Sequence, residues 1–160
     1  MKWIVSSPIR LILVVVCAAA LILVATSLIK EMLFERGIAA MKYSDAPTAI
    51  GYLRPLAWLG DARAAHFIAV IYVRGLGVPR NHTEALHWLE KAYSPGDLAK
   101  EFLGTGAAFE AGGDGFGSPD LHEAAYWYCL AANRGDPTAL SRLREPDLSF
   151  ASGCIPSLSK

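Results

Sequence analysis

The chain has 160 residues, 53% of them apolar and 19% charged, with 15 Lys and Arg residues balanced by 15 Asp and Glu residues. Without net positive charge it lacks the field that captures nucleic-acid phosphates, so the composition argues against a nucleic-acid partner. Only Lys2 and Arg10 among the charged residues precede position 30, which leaves residues 30–160 with 13 basic and 15 acidic groups, a formal charge of −2. That part resembles an ordinary soluble domain in size and charge.

A long apolar segment occupies residues 11–29, where no residue is charged and twelve of the nineteen are Leu, Ile or Val. As a helix it would be about 28 Å long, close to the ~30 Å hydrocarbon core of a bilayer. It exceeds the roughly 7–15 apolar residues of a cleaved signal peptide. We therefore predict an uncleaved transmembrane anchor. The alternative is a signal sequence cleaved near the small residues 18–20 or 25–27.

The charges around this segment bear on its orientation. Lys2, Arg10 and the amino terminus precede it, and among nearby positive charges only Lys30 and Arg36 follow it, which weakly favours a cytoplasmic N-terminus at residues 1–10 and export of everything after residue 29. Lipidation at Cys17 is disfavoured, because the preceding position holds a branched valine and the residues after it stay apolar.

A pattern of residues returns along the chain with a period of 39 in its two best copies, and a looser copy lies 36 residues earlier. In each copy a small residue, an aromatic residue and a further small or apolar residue share one helical face, and a Gly-Asp pair follows. Each stripe is the expected second helix, helix B, of a helical hairpin. The copies are Ala85, Trp88, Ala92, Gly96, Asp97; Ala124, Trp127, Ala131, Gly135, Asp136; and, more loosely, Ala49, Tyr52, Leu56, Gly60, Asp61.

Residues typical of helix ends support one register for all copies. We expect the glycine after each stripe to end helix B in a left-handed conformation, and the following Asp to cap the next helix. The predicted N-caps of helix B are Asp45, Asn81 and Asp120, and Glu84 and Glu123 have capping-box spacing in two copies. The first helices of the hairpins, helices A, are expected at about 33–42, 62–74 and 98–111, with a short capping helix near 138–144.

The best-defined copy contains Tyr-Val-Arg-Gly-Leu-Gly-Val at 72–78 and Ala-Leu-His-Trp-Leu-Glu-Lys-Ala at 85–92. These segments resemble a Sel1-like repeat, a relative of the tetratricopeptide repeat with a longer inter-helix loop. The next copy is similar but has extra loop residues, and residues 34–57 resemble the degenerate opening unit of small exported members. The repeat-defining residues are Ala49, Tyr52, Gly60, Tyr72, Gly75, Gly77, Ala85, Trp88, Ala92, Gly96, Phe109, Ala124, Trp127, Ala131 and Gly135.

The resemblance implies an all-α fold, a short α-solenoid of helical hairpins, in a small membrane-anchored or exported bacterial protein. The apolar segment adds one N-terminal transmembrane helix before the solenoid. Its repeat domain would lie in the periplasm, tethered to the inner membrane or released there by signal cleavage. The expected division is an N-terminus at 1–10, an anchor or signal sequence at 11–29, a repeat domain at 30–145 and a tail at 146–160. Within the repeat domain we expect a degenerate unit at 33–59, repeats at about 60–95 and 96–134, and a capping helix at 135–145.

Residue patterns give no support for catalysis or metal binding. His66, His82, His87 and His122 have no metal-ligand spacing, and no Cys-x-x-Cys occurs. The glycine-rich loop at 112–117 lacks the Gly-Lys-Ser/Thr ending of a phosphate-binding loop, and no Ser or Cys has a nucleophile-elbow context. We expect no catalytic residue, no metal and no cofactor, and therefore no enzyme.

The cysteines at 129 and 154 are expected to form a disulfide, since both would lie in an oxidising compartment if the repeat domain is exported. A loop of 25 positions closed in this way contributes about 3.5 kcal/mol on the chain-entropy model and would hold the tail against the last hairpin. Two free thiols are the alternative. The pair is Cys129 and Cys154.

By similarity to tetratricopeptide geometry, outward positions of the helices A line a concave binding face. The residues expected there are Arg63, His66, Val70, Arg74, Lys100, Leu103 and Glu110.

These positions vary between copies, as those of a binding face or of a solvated face would. The leading interpretation is a non-catalytic adaptor or scaffold of the cell envelope that binds a protein or peptide. The alternatives are an inhibitor or immunity protein against a secreted toxin, and a structural subunit of an inner-membrane complex. Three hairpins make a marginal stack, which a homodimer or a bound partner would complete.

Overall fold

The structure, a computed structural model, describes residues 7–113 and 115–154. The predicted segments before Ser7 and after Cys154 lie outside the described residues. Within the described part there are seven α-helices and no strand, which confirms the all-α fold. The helices are α1 (Ser7–Lys42), α2 (Ala46–Trp58), α3 (Ala62–Arg74), α4 (His82–Ala92), α5 (Pro95–Ala111), α6 (Leu121–Asn133) and α7 (Pro137–Arg142), and a 3₁₀ segment follows at Pro146–Cys154.

The helices pair into hairpins that stack in chain order. α1 packs on α2, α3 on α4 and α5 on α6, while α2 contacts α3, α4 contacts α5, and α7 and the 3₁₀ segment cover α6. This arrangement is the predicted short α-solenoid. The stripes of the two well-defined copies face its core, with Trp88 and Trp127 almost fully buried, whereas Tyr52 of the looser copy is only half-buried.

The first helix differs from expectation, because the apolar segment 11–29 and the predicted helix 33–42 form one uninterrupted helix of 36 residues. The residues that join them, Lys30 to Phe34, include no Gly or Pro and are mostly good helix formers, so nothing breaks the helix where the charges begin. The most apolar 18 residues of this helix have a mean hydropathy of 3.0, so the helix is long and apolar enough to cross a membrane, and that stretch is not buried by the rest of the chain.

The second half of α1 belongs to the core of the repeats. Phe34 is only 8% exposed, and its ring lies 5.7 Å from that of Phe67 in α3. Gly37 faces α2, where a Cβ atom would lie 2.6 Å from Cγ of Leu53. Because glycine carries no side chain at that point, α1 and α2 approach each other closely.

The predicted caps are confirmed at most helix ends. Asp45, Asn81 and Asp120 each accept a hydrogen bond from the backbone amide three residues later, at the starts of α2, α4 and α6. Gly60 and Gly135 have φ values of 88° and 85°, the left-handed conformation expected after α2 and α6. The next residues, both Asp, cap α3 and α7 as predicted.

The prediction is wrong at the middle copy, where Gly96 was expected to end a helix and Asp97 to cap the next. α4 ends at Ala92 and α5 begins at Pro95, so Gly96 lies inside the first turn of α5. The N-cap is Ser94, whose hydroxyl accepts from the amide of Asp97 and donates to its carboxylate. Proline suits the first helical position, since its fixed φ is helical and its missing amide is not needed there, so α5 starts three residues before the predicted position.

The C-terminal end of the stack is closed covalently. Cys129 of α6 and Cys154 of the 3₁₀ segment form the predicted disulfide, with Cα atoms 5.7 Å apart. The segment between them buries Leu143 and Leu148 against the last hairpin. The disulfide therefore holds an apolar cover over the end of the core.

Candidate functional site

Arg63, the first residue of the predicted binding face, is engaged within the chain. Its guanidinium donates to both carboxylate oxygens of Glu31 at 3.1 and 3.2 Å and lies 4.4 Å from the ring centroid of Phe34. The hydrogen bonds to Glu31, and then those to Asp61, raise the pKa of Arg63 further above its ordinary value. Arg63 therefore joins α3 to α1, although half of its side chain stays exposed to solvent.

His66 is the second predicted residue and lies one turn further along α3. Its Nδ1 is 2.8 Å from the hydroxyl of Tyr93, and Glu101 of α5 is 3.8 Å away. Burial, and then the Glu101 carboxylate, raise the pKa of Tyr93 to about 12, so the phenol stays protonated at neutral pH.

A hollow of about 290 Å³ opens beside these side chains. We call it the α3–α4 hollow. Its lining residues are Ala62, Arg63, His66, Phe67, Ala92 and Tyr93.

Glu110 of the predicted face is part of another internal network. Arg142 of α7 donates two hydrogen bonds to its carboxylate at 2.9 and 3.0 Å, and the Tyr128 hydroxyl donates a third at 2.6 Å. The hydrogen bonds from Arg142 are the main cause of the lowered pKa of Glu110, whereas burial, and then Glu110, raise the pKa of Tyr128. Glu110 thus fastens α5 to α6 and α7.

The remaining predicted residues are spread along the stack. Arg74, the last residue of α3, has its Nε 3.3 Å from the carbonyl oxygen of Gly115. Lys100 is exposed near Asp97, with its Nζ 3.6 Å from that carboxylate, while Val70 and Leu103 are half-buried. The structure brings Arg63 and His66 together at the α3–α4 hollow and leaves Arg74 and Glu110 at the other ends of their helices.

Sequence reasoning missed a second concavity between α2 and α4. Two adjoining hollows of about 500 and 420 Å³ share Arg54 and Trp58. We call them together the α2–α4 groove. Trp58 is 62% exposed, and the ammonium of Lys91 lies 4.2 Å from its ring centroid. The sequence contained a signal for this groove. When the three copies are aligned, Trp58 is equivalent to Ser94 and Asn133, so one copy has an aromatic residue where the other two have polar residues.

Polar contacts also join the two well-defined hairpins. His82, at the start of α4, stacks on Tyr126 of α6 at 4.1 Å between ring centroids, and its Nε2 is 2.9 Å from the Glu123 carboxylate. At the other end of these helices, the guanidinium of Arg134 lies 4.6 Å from the ring of Phe102 and 3.5 Å from Glu90. His82 is therefore part of the interface between hairpins.

The described residues offer hollows that could serve as binding surfaces. In residues 7–113 and 115–154, no three His, Cys, Asp or Glu side chains are grouped to hold a metal ion. The polar side chains described above, such as those of Arg63, His82 and Glu110, pair with side chains of other helices. Such paired groups position side chains and rigidify the surface between them.

Comparison with protein families gives two adjacent matches. The family model for the Sel1 repeat matches residues 62–97 and 99–136. These are the α3–α4 and α5–α6 hairpins, with small differences at their ends. Sel1 repeats generally mediate protein–protein interaction and have no catalytic role of their own. A comparison with curated proteins gave no match.

Proposed function

The chain is a Sel1-repeat protein, and on that premise we propose that it is a non-catalytic adaptor, anchored in a bacterial inner membrane by α1, that binds a protein or peptide in the periplasm. One observation carries this proposal. The helix that is long and apolar enough to cross a membrane is also the first helix of the repeat stack, with no linker between the two parts. Because the repeats continue directly from the membrane-spanning helix, they are suited to holding a partner at a fixed distance from the membrane.

The direction of export follows from charge and redox chemistry. Lys2 and Arg10 on the N-terminal side of the apolar segment support a cytoplasmic N-terminus. The Cys129–Cys154 disulfide supports an oxidising compartment for the repeats, because such bonds persist outside the cytosol.

We assign the partner to the helix A face around the α3–α4 hollow, continuing to Lys100 and Leu103 of α5. The hollow combines an aromatic wall, Phe67 and Tyr93, with the exposed part of a guanidinium. The internal bonds of Arg63 and His66 hold these side chains in one geometry, so less conformational entropy is lost when a partner binds.

The test is site-specific photo-crosslinking in intact cells with the tagged, full-length protein. A photoreactive residue in place of the exposed Lys100 should give one discrete crosslinked product. A matched protein with the photoreactive residue at the exposed Thr83, in the α2–α4 groove, should not. A product at Thr83 alone would contradict the assigned face, and no product at either position would contradict the adaptor function. An envelope protein in the product supports the adaptor, whereas a secreted toxin would make the chain an inhibitor.

A further inference from the structure

The turn between α2 and α3 lies beside the end of the apolar segment. In α1 the uncharged run ends at Ile29, so Lys30 marks the level of the bilayer surface if α1 spans the membrane. α2 runs back along α1, and the next turn reaches the same level. A shared hollow supports this placement, because one hollow of about 200 Å³ is lined by Lys30, Leu56, Leu59, Gly60 and Asp61.

Two large apolar side chains are exposed at this turn. Trp58 is 62% exposed, and the next residue, Leu59, is 70% exposed. The repeat fold does not require apolar residues there, since the corresponding pairs in the other copies are Ser-Pro at 94–95 and Asn-Arg at 133–134. The first copy, whose helix A continues from the apolar segment, therefore has two large apolar residues at these positions. The equivalent residues of the two later copies are polar or small.

The chemistry around this pair fits the boundary between lipid headgroups and acyl chains. Tryptophan concentrates at that boundary, and lysine places its ammonium among the headgroups while its aliphatic part covers apolar surface. The ammonium of Lys91 lies 4.2 Å from the centre of the Trp58 ring, and Lys30 lies on the other side of the turn. Charge at this edge nearly balances. Arg63 pairs with both Glu31 and Asp61, and the two lysines bring the sum of the five groups to +1.

We propose that Trp58 and Leu59 insert into the bilayer interface and form a second membrane contact beside α1. The inference rests on the proposed membrane anchor. It sets the orientation of the stack: the turns before α3 and α5 face the lipid, and the loops after α3 and α5 face away. The α3–α4 hollow, which includes Ala62 and Tyr93, then lies near the bilayer surface. Because the pair is apolar and the local charge nearly balances, the contact does not need acidic lipids.

The test measures the depth of three fluorescent labels on the full chain in phosphatidylcholine vesicles, with and without lipids that carry a nitroxide quencher near the headgroup or along the chain. The first label is on the native free Cys17 in the apolar segment. The second and third are on Leu59→Cys and Tyr43→Cys, each with Cys17→Ser. Tyr43 is the matched control, because it is 84% exposed but lies at the opposite end of the α1–α2 hairpin.

We expect the labels at 17 and 59 to lose most of their fluorescence to the quenchers and the label at 43 to keep its own. If 17 is quenched while 59 behaves like 43, the second contact is wrong and the anchor stands. If the label at 17 is not quenched, the anchor and the second contact both fail. Adding phosphatidylglycerol should leave quenching at 59 unchanged; quenching that appeared only with this acidic lipid would overturn the apolar basis of the contact.

Discussion

Equivalent glutamates in the two repeats have different partners. The Glu84 carboxylate accepts a hydrogen bond from Nε1 of Trp88 at 3.1 Å, one turn along α4. The Glu123 carboxylate pairs with His82 of the preceding hairpin instead, and among the described residues Nε1 of the buried Trp127 has no partner. Neither carboxylate closes the reciprocal capping box that its spacing predicted, because the N-cap amides at 81 and 120 donate to the carbonyl oxygens of Tyr72 and Phe109 instead.

The two tryptophans at 88 and 58 give the sharpest contrast in burial. Trp88→Ala should lower the free energy of unfolding by about 3–5 kcal/mol, because it removes a fully packed side chain from the core. The control is Trp58→Ala, which removes a largely exposed ring and should cost less than about 1 kcal/mol in detergent. Denaturant unfolding of the full chain measures both. Equal losses in the two proteins would refute the placement of Trp88 in the core.

The roles of single residues were predictable where they depend on local sequence. The caps Asp45 and Asn81 follow from the spacing of the stripe and from the hydrogen bonds that a helix start requires. The partners of Arg63 and Glu110 did not follow, because Glu31 and Arg142 lie on other helices and meet them only after the hairpins stack. Periodicity predicts which face a residue occupies, not which distant side chain approaches it.

At the level of elements, α5 contains two glycines in different environments. Gly106 faces α6, where a Cβ atom would lie 2.7 Å from Cδ1 of Tyr128, so its missing side chain allows the close packing of the hairpin. Gly104 is exposed, and a Cβ atom there would contact nothing within 4 Å. The first glycine is needed for packing, whereas the second only weakens the helix.

This difference predicts opposite effects of two substitutions in one helix. Gly106→Val should destabilise the protein by about 1–3 kcal/mol through overpacking against Tyr128. Gly104→Ala should stabilise it by about 0.5–1 kcal/mol, because alanine loses less backbone entropy in a helix. Both are measured as shifts of the denaturant midpoint of the full chain. Two changes of the same sign would show that the α5–α6 approach is not limited by Gly106.

Element boundaries were predictable where one set of cap residues marked the helix end. Residues 62–74 match α3 at both ends, since an Asp and a Gly flank the apolar period. At 94–97 two start signals competed, and the proline at the first helical position prevailed over the Gly-Asp pair. The apolar segment 11–29 and the helix at about 33–42 were predicted separately, whereas the structure has one helix across 30–33. Charge changes the environment of a helix without ending it.

For the whole molecule, the last hairpin is closed by both the disulfide and the ion network around Arg142. Its hydrogen bonds lower the pKa of Glu110 and Asp147 below their ordinary values. A carboxylate with a lowered folded-state pKa stabilises the fold above its unfolded-state pKa, about 4.3 for Glu and 3.9 for Asp, and that stabilisation is lost as the pH falls through the folded value. The closed end of the stack should therefore be acid-sensitive.

We expect the free energy of unfolding to fall as the pH drops from about 5 to below 4, the range set by the ordinary carboxyl pKa values and the lowered folded ones. Arg142→Met removes the main cause of the lowered pKa of Glu110 and of Asp147, so the free energy of unfolding should decrease less steeply with falling pH. Urea unfolding of the full chain across this range measures both slopes. An identical pH dependence in the two proteins would exclude the network as the source of acid sensitivity.

The central claim is that one uninterrupted helix both anchors the chain and builds the first hairpin of the repeats. Intact-mass measurement of the C-terminally tagged protein, after separation of membrane and soluble fractions, tests it most directly. We predict that the protein is in the membrane fraction and that its mass includes residues 11–29. A soluble protein that begins after residue 20 or 27 would contradict the claim, since α1 would then serve only for export.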